Sequence, residues 1–315
     1  MQIASIGIDL GKTTFHLVAL DARGKVLVRK KFSRSQLLTY TANLQHSLIG
    51  MEACAGAHFI GAALRNQGHD VRLIPAQFVK PFVKTNKNDF IDAEAVTRDN
   101  MRFVPIKTDD QLDLQALHRV RDRLVQRRTA LVNQMRGFML ERGIAVAKGR
   151  ATFRSSMPTI LEDADQNLTP RLRNLLHDLW QEWKQLQFDI ERISGQIEQI
   201  SVEDAACKRL RQIPGVGPLV ATATVAAIGN GAAFHKGREF AAWLGLVPRQ
   251  HSTGGNPRLF GISKRGNSYL RRMFVHGARA VLLRVKYDTG GLGRWVQAVL
   301  SKGLDYHHSA VCAQS

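Results

Sequence analysis

Short apolar runs closed by turn residues organise the first third of the chain. Residues 3 to 10 (IASIGIDL) form one run, Gly11-Lys12 leads into a second at Thr13 to Leu20, Asp21 to Gly24 closes it, and a third follows at Lys25 to Phe32. Runs of this length between tight turns predict three consecutive strands. A helix is predicted at Ser35 to His46, a strand at Leu48 to Met51 ending in Glu52, a helix at His58 to Asn66, a strand at Val71 to Pro75 and a helix from about Gln77. Helical periodicity then takes over, with Thr108 as N-cap of a stretch that ends near Arg142-Gly143. Residues 144 to 169 lose periodicity and carry Gly149, Ser155, Ser156 and Pro158, which predicts a flexible connection.

Leu172, Leu176, Leu179, Trp183, Leu186, Ile190, Ile193, Ile197 and Ile200 then alternate steps of four and three. That heptad seam predicts a long helix needing a partner, either Thr108 to Arg142 of the same chain or a copy in another subunit. Residues 208 to 229 read as a helix, Pro214-Gly215-Val216-Gly217-Pro218 and a second helix, a helix-hairpin-helix pattern. A helix ending at Leu244-Gly245 delivers a predicted loop with Arg249, His251, Ser252, Thr253, Gly254 and Gly255; Lys264 to Asn267 precede a helix bearing Arg271 and Arg272.

Three strands joined by tight turns, with Asp9 in the first, open both the ribonuclease-H-like fold and the sugar-kinase and actin fold. The latter needs glycine-rich phosphate loops in a second half, and the sequence has none. The expected fold is therefore α/β plus α: a ribonuclease-H-like domain at 1–105, a helical coiled-coil region with linker at 106–205, and a mostly helical domain with the helix-hairpin-helix at 206–315.

Composition sharpens this picture. The 315 residues are 44% hydrophobic, an ordinary globular content, but 45 lysines and arginines face 26 acids and leave a formal charge of +19. A polyanion partner is the direct reading, and the concentrations at Arg119 to Arg128 and Lys264 to Arg272 suit an extended nucleic-acid surface. No apolar run is long enough to span a bilayer and the chain opens on a strand pattern, so a cytoplasmic protein with no membrane partner is expected. Cys54, Cys207 and Cys312 are odd in number and widely spaced, which argues for free thiols and against zinc.

The candidate chemistry starts at Lys87 to Glu94, KNDFIDAE, where Asp89 and Asp92 stand three apart and share one face of a helix. Two acids that close call for a cation between them, and Mg²⁺ suits carboxylate oxygens. Asp9 in a strand and Glu52 at a strand end complete a set of four able to hold two Mg²⁺ ions for phosphodiester chemistry. Gly215 and Gly217 let backbone amides approach a phosphate without reading bases. Arg249, Lys264, Arg265, Asn267, Arg271 and Arg272 are the further candidates for nucleic-acid contact, and a hydroxyl of Ser252 or Thr253, on a glycine-flanked loop among cations, is a candidate nucleophile.

Nearly the whole chain resembles the DEDD transposases of bacterial insertion sequences. IGIDLGKTTFHL, MEACAG and KNDFIDAEA match the three segments that carry the acids in their RuvC-like metal-binding domain, here 1–105, and IPGVGPLVA, FAAWLGLVPRQHSTGG and GISKRGNSYLRR match their second, DNA-binding domain with its serine loop, here 206–315. The resemblance implies a recombinase in which Mg²⁺-bound Asp9, Glu52, Asp89 and Asp92 act with a serine that becomes covalently joined to DNA. It also implies a structured noncoding guide RNA and a homo-oligomer, dimer or tetramer, pairing one subunit's acids with another's serine. That serine stands close before a glycine, a position open to Ser252 or Thr253, and Ser252 is taken because serine chemistry is expected. Related proteins continue past GRWVQ through another helix, so a shortened C-terminus is expected where Gln297 joins Ala298. Two rivals remain: a metal-dependent nuclease or junction resolvase, which needs the acids but no serine, and a non-enzymatic helix-hairpin-helix binder, which needs neither.

Overall fold

A computed structural model describes residues 3–75, 103–253, 256–285 and 290–301. The chain divides into two compact units, residues 1–108 and 109–315.

The first unit is built on a five-stranded mixed sheet in the order β3-β2-β1-β4-β5, with β1 Ser5–Leu10, β2 Phe15–Leu20, β3 Val26–Phe32, β4 Leu48–Glu52 and β5 Asp70–Ile74. β1, β2 and β3 form an antiparallel meander, and β4 and β5 run parallel to β1. This arrangement fits the ribonuclease-H-like expectation. Alternation along the strands sends Ile6, Ile8, Phe15, Leu17, Ile49 and Met51 into one face, where they pack with Leu37 of helix α1 (Arg34–Ala42) and with Ala57, Ile60 and Leu64 of α2 (Ala57–Asn66). Helix α1 stops at Asn43, short of the predicted His46, because the chain must turn into β4. Buried His69 makes that junction: its Nδ1 accepts from the Ser47 amide at 3.3 Å and its Nε2 lies 3.1 Å from the Thr41 carbonyl. Past the undescribed stretch the chain returns beside β5, where the Val104 amide donates to the Leu73 carbonyl at 2.7 Å.

The second unit contains two long helices, α3 (Asp109–Leu140) and α5 (Pro170–Glu203). The partner of the heptad seam lies in the same chain. Leu124, Leu131, Met135 and Met139 of α3 share one core with Leu176, Trp183, Leu186, Ile190, Ile193 and Ile197 of α5. Polar ties flank it: Arg121 Nε donates to Ser194 Oγ at 2.8 Å, Arg128 to Gln187 at 2.7 Å, and Arg127 pairs with Glu182 at 3.0 Å. The descending partner numbers make the pair antiparallel.

The expected flexible connection instead contains helix α4 (Arg150–Glu162), with Pro158 inside it. Phe153, Met157 and Ile160 fall at helical spacing and are buried against the long pair, so packing overrides the proline and serine signals. Arg136 reaches back to the Ala147 and Gly149 carbonyls at 2.8 and 3.1 Å, and Arg173 donates to the Leu161 carbonyl at the far end of α4 at 2.6 Å. The third helix also shifts the seam. Trp180, not Leu179, is the buried residue at that turn, its ring stacked on Trp183 at 4.6 Å, and both indoles lie 6.0 Å from Phe153.

Helices α6 (Ala205–Leu210), α7 (Pro218–Ile228), α8 (Gly237–Leu244), α9 (Ser268–Leu282) and α10 (Gly290–Ser301) complete the unit, with a hairpin of β6 (Pro248–Thr253) and β7 (Asn256–Ile262). That hairpin replaces the predicted serine loop. Helix α10 runs unbroken through Gln297-Ala298. Among the described residues neither Cys54 nor Cys207 is in a disulfide, Cys312 lies outside them, and burial together with the neighbouring Asp204 pushes the Cys207 thiol up to about 12. No helix among them is long and apolar enough to cross a membrane.

A polar chain joins α3, α7 and α9. Thr222 Oγ1 donates to the Pro218 carbonyl at 2.6 Å and so accepts from His118 Nε2 at 3.0 Å; His118 Nδ1 then accepts from the Tyr269 hydroxyl at 2.9 Å. Burial, and secondarily Arg121, hold the His118 imidazole down to about 4. The folded protein thus refuses a proton that the unfolded chain accepts below its ordinary value of 6.5. Stability is full above that value, falls between about pH 6.5 and 4 by up to ~3 kcal/mol, and levels off below. Urea unfolding across this range is expected to show the loss, and His118→Gln is expected to flatten it.

Candidate functional site

The acid-bearing face of the first sheet is set by strand register. Ile8 pairs with Met51 on parallel β1 and β4, so Asp9 and Glu52, one residue on, occupy the same level of neighbouring strands. Ile8 and Met51 are fully buried against the helices. Alternation therefore turns both acids to the opposite face, with Gly7 and Gly50 paired one step behind them on that face. Both lie at the carboxyl ends of their strands, where open α/β sheets gather ligands. Neighbouring strands stand ~4.8 Å apart, close enough for two carboxylates to share a hard cation. Asp89 and Asp92 lie outside the described residues. Among those described, no group of three or more His, Cys, Asp or Glu side chains forms a metal cluster.

In the second unit the predicted serine position is the end of β6. Ser252 pairs with Pro257 and Thr253 with Asn256, with Gly254-Gly255 between them in sequence. Arg249 and His251 are exposed on the same strand, and the His251 ring sits 6.4 Å from Phe260 of β7.

The remaining candidates divide between exposed cations and side chains held within the protein. Lys264 and Arg265 are exposed on a turn locked to the end of α8: Lys264 has φ 56°, its amide donates to the Gly245 carbonyl at 3.0 Å, and a Cβ on Gly266 would fall 1.9 Å from the Trp243 carbonyl oxygen. Arg271 donates to the Leu244 and Arg265 carbonyls at 2.8 and 2.7 Å, which staples that turn to α8. Arg272 pairs with Asp122 of α3 and lies over the Tyr269 ring, 5.4 Å from its centroid. Asn267 is the N-cap of α9, accepting from the Leu270 amide at 3.1 Å.

The Pro214 to Pro218 turn joins α6 and α7, with Gly217 as N-cap and Pro218 at the first helical position. Gly215 has φ 83° and faces Gly277 of α9 so closely that a Cβ on Gly277 would lie 2.2 Å from the Gly215 carbonyl oxygen. Nothing lies within 4 Å of a Cβ built on Gly217. Sequence reasoning missed Gly277, His118, Thr222 and Tyr269. Gly277 left no signal in a helix of otherwise ordinary pattern, whereas the Gly-Gly pair at 254–255 is a hairpin signal that the loop reading passed over.

Comparison with known proteins covers both units. The profile of the Transposase IS116/IS110/IS902 family matches residues 207–291, and a DEDD transposase profile of IS110 type matches residues 6–142. The transposase for insertion sequence element IS1328 of Yersinia enterocolitica is 44% identical over 316 aligned residues, covering 99% of this chain and 92% of the relative. The transposase for insertion sequence element IS1111A of Coxiella burnetii is 40% identical, covering 96% of this chain and 84% of the relative.

The Gly215–Gly277 contact sets two effects against each other in one substitution. Alanine in a helix interior gains ~1 kcal/mol over glycine, but a backbone oxygen at 2.2 Å cannot step aside as a flexible side chain would. Gly277→Ala is expected to destabilise by ~2 kcal/mol in urea unfolding. Gly195→Ala, in α5 with nothing within 4 Å, is expected to stabilise by up to ~1 kcal/mol.

Proposed function

The chain belongs to the IS110-type family of insertion-sequence transposases, enzymes that cut and rejoin DNA, and on that premise we propose that it does so with a four-carboxylate Mg²⁺ site and a nucleophilic serine. The observation that carries the first half is the register placing Asp9 and Glu52 side by side on one sheet face. Their oxygen donors suit Mg²⁺, and both flanks of the segment bearing Asp89 and Asp92 attach to β5, the strand beside Glu52: Ile74 pairs with Glu52, and Val104 bridges to Leu73. Bound by the four acids, two such ions would supply charge that activates an attacking oxygen and stabilises a leaving one.

In this reading Ser252 carries the second half of the mechanism. Its hydroxyl loses a proton and forms an oxygen–phosphorus bond to DNA, while the bond from that phosphorus to the leaving sugar oxygen breaks and the oxygen takes up a proton. Rejoining reverses the exchange with a new DNA hydroxyl. Arg249, Lys264 and Arg265, exposed around the hairpin, would hold flanking phosphates. Arg271, Arg272 and Asn267 would act by fixing the turn and helix that present them. The functional division is 1–105 for metal chemistry, 106–205 for the helical coiled-coil region and 206–315 for DNA binding and the serine. A structured noncoding guide RNA and a dimer or tetramer belong to the same reading, by family resemblance.

The test is excision of the element and circle formation in cells, with its flanking RNA supplied. Asp9→Ala and Ser252→Ala are each expected to lower product at least 100-fold, in the range of lost nucleophiles and metal ligands. Loss with Thr253→Ala in place of Ser252→Ala would move the nucleophile by one residue. Full cleavage by Ser252→Ala, Thr253→Ala and the double variant would replace the serine mechanism with that of a metal nuclease.

A further inference from the structure

The row of paired residues that contains the two acids continues outward to the sheet edge. Glu52 stands beside Asp9, Asp9 pairs with His16 on β2, and His16 pairs with Lys31 on β3. Paired residues share a face, so acid, acid, imidazole and ammonium form one line across four strands. Arg29, two residues before Lys31, lies on that face as well and is exposed, as Lys31 is. Lys30 between them belongs to the other face, where its ammonium sits over the Tyr40 ring of α1, 5.1 Å from the centroid. Among the described residues Lys31 forms no ion pair with a carboxylate.

Building on the transposase reading above, we propose that the β3 edge is the phosphate guide of the first unit: Lys31, with Arg29 beside it, holds the backbone of the same DNA strand whose scissile phosphate lies at Asp9 and Glu52. Two inter-strand steps put Lys31 ~10 Å from Asp9. The axial rise is ~3.4 Å per base pair, but successive phosphates of one winding strand stand about 7 Å apart, so the gripped phosphate is one or two nucleotides from the reacting one. The charge order gives the strand a direction to lie in. Acids repel phosphate except where a cation intervenes, and the ammonium two strands away draws the neighbouring backbone across the sheet towards β3.

Lys30 and Lys31 give a matched pair of probes, since each carries one positive charge on the same strand but on opposite faces. Binding of a 30-base-pair duplex by the full chain is measured against salt for wild type, Lys31→Ala and Lys30→Ala. A photo-crosslinking phenylalanine analogue placed at 31 or at 30 locates the DNA. The expected result is a fall of ~0.9 in the slope of log affinity against log salt for Lys31→Ala alone, with cross-links from position 31 at least five-fold above those from 30. Equal slopes in all three proteins, or equal cross-linking from both positions, overturns the guide while leaving the transposase reading intact. Absence of duplex binding by the wild type would instead strike at the DNA reading on which the guide rests.

Discussion

The parallel register between β1 and β4 is the constraint on which the first unit depends. Pairing Ile6 with Ile49 and Ile8 with Met51 puts four fully buried side chains beneath α1 and α2. A one-residue slip would carry that apolar set to the wrong face, at ~1.5–3 kcal/mol per exposed side chain. The same pairing decides where Asp9 and Glu52 stand. The hydrophobic effect, which has no interest in carboxylates, therefore aligns them: core packing fixes the register and the register fixes the acids. Little backbone freedom is left with which to misplace one acid against the other.

A comparable economy governs the second unit. Its antiparallel helices are joined by an apolar seam, and two of the flanking arginines, Arg121 and Arg128, are satisfied by the neutral acceptors Ser194 and Gln187. Neutral acceptors fix a guanidinium without cancelling its charge. The helix pair is thus ordered by hydrogen bonds while the unit keeps the positive field that a nucleic-acid partner requires. The four-residue polar chain through His118 does a related job between α3, α7 and α9, replacing packing with directional bonds where three helices converge.

Legibility followed the strength of local signals. The five strands could be read because turn residues close their short apolar runs, the helix at 170–203 because its apolar residues repeat at 3.5, and the helix at 109–140 because Thr108 and Gly143 mark its ends; Asp9 and Glu52 stood out because they end apolar runs. Helix α4 was hidden because Pro158, Ser155 and Ser156 spell a loop locally, and only burial of Phe153 and Met157 against a distant helix outweighs them. Trp180 was hidden for the same reason, its partner being Phe153 of the unseen helix. The β6–β7 hairpin was missed because PRQHST carries none of the alternating apolar residues that mark a buried strand. Arg271 was read only as a cation because a sequence does not show the Leu244 and Arg265 carbonyls that its Nη1 bridges.

The glycine contact between the Pro214 to Pro218 turn and α9 has a further consequence, for how this protein can change over time. Most tight contacts in a core can be renegotiated: when one side chain grows, a mutation that shrinks its neighbour restores the fit. Gly215 and Gly277 meet backbone to backbone, and neither has anything left to remove. Enlargement at one position has no reciprocal remedy at the other. Two residues distant in the chain are thereby tied into a lineage constraint without exchange, a joint where drift cannot proceed by paired steps and where relief requires moving α9 as a whole.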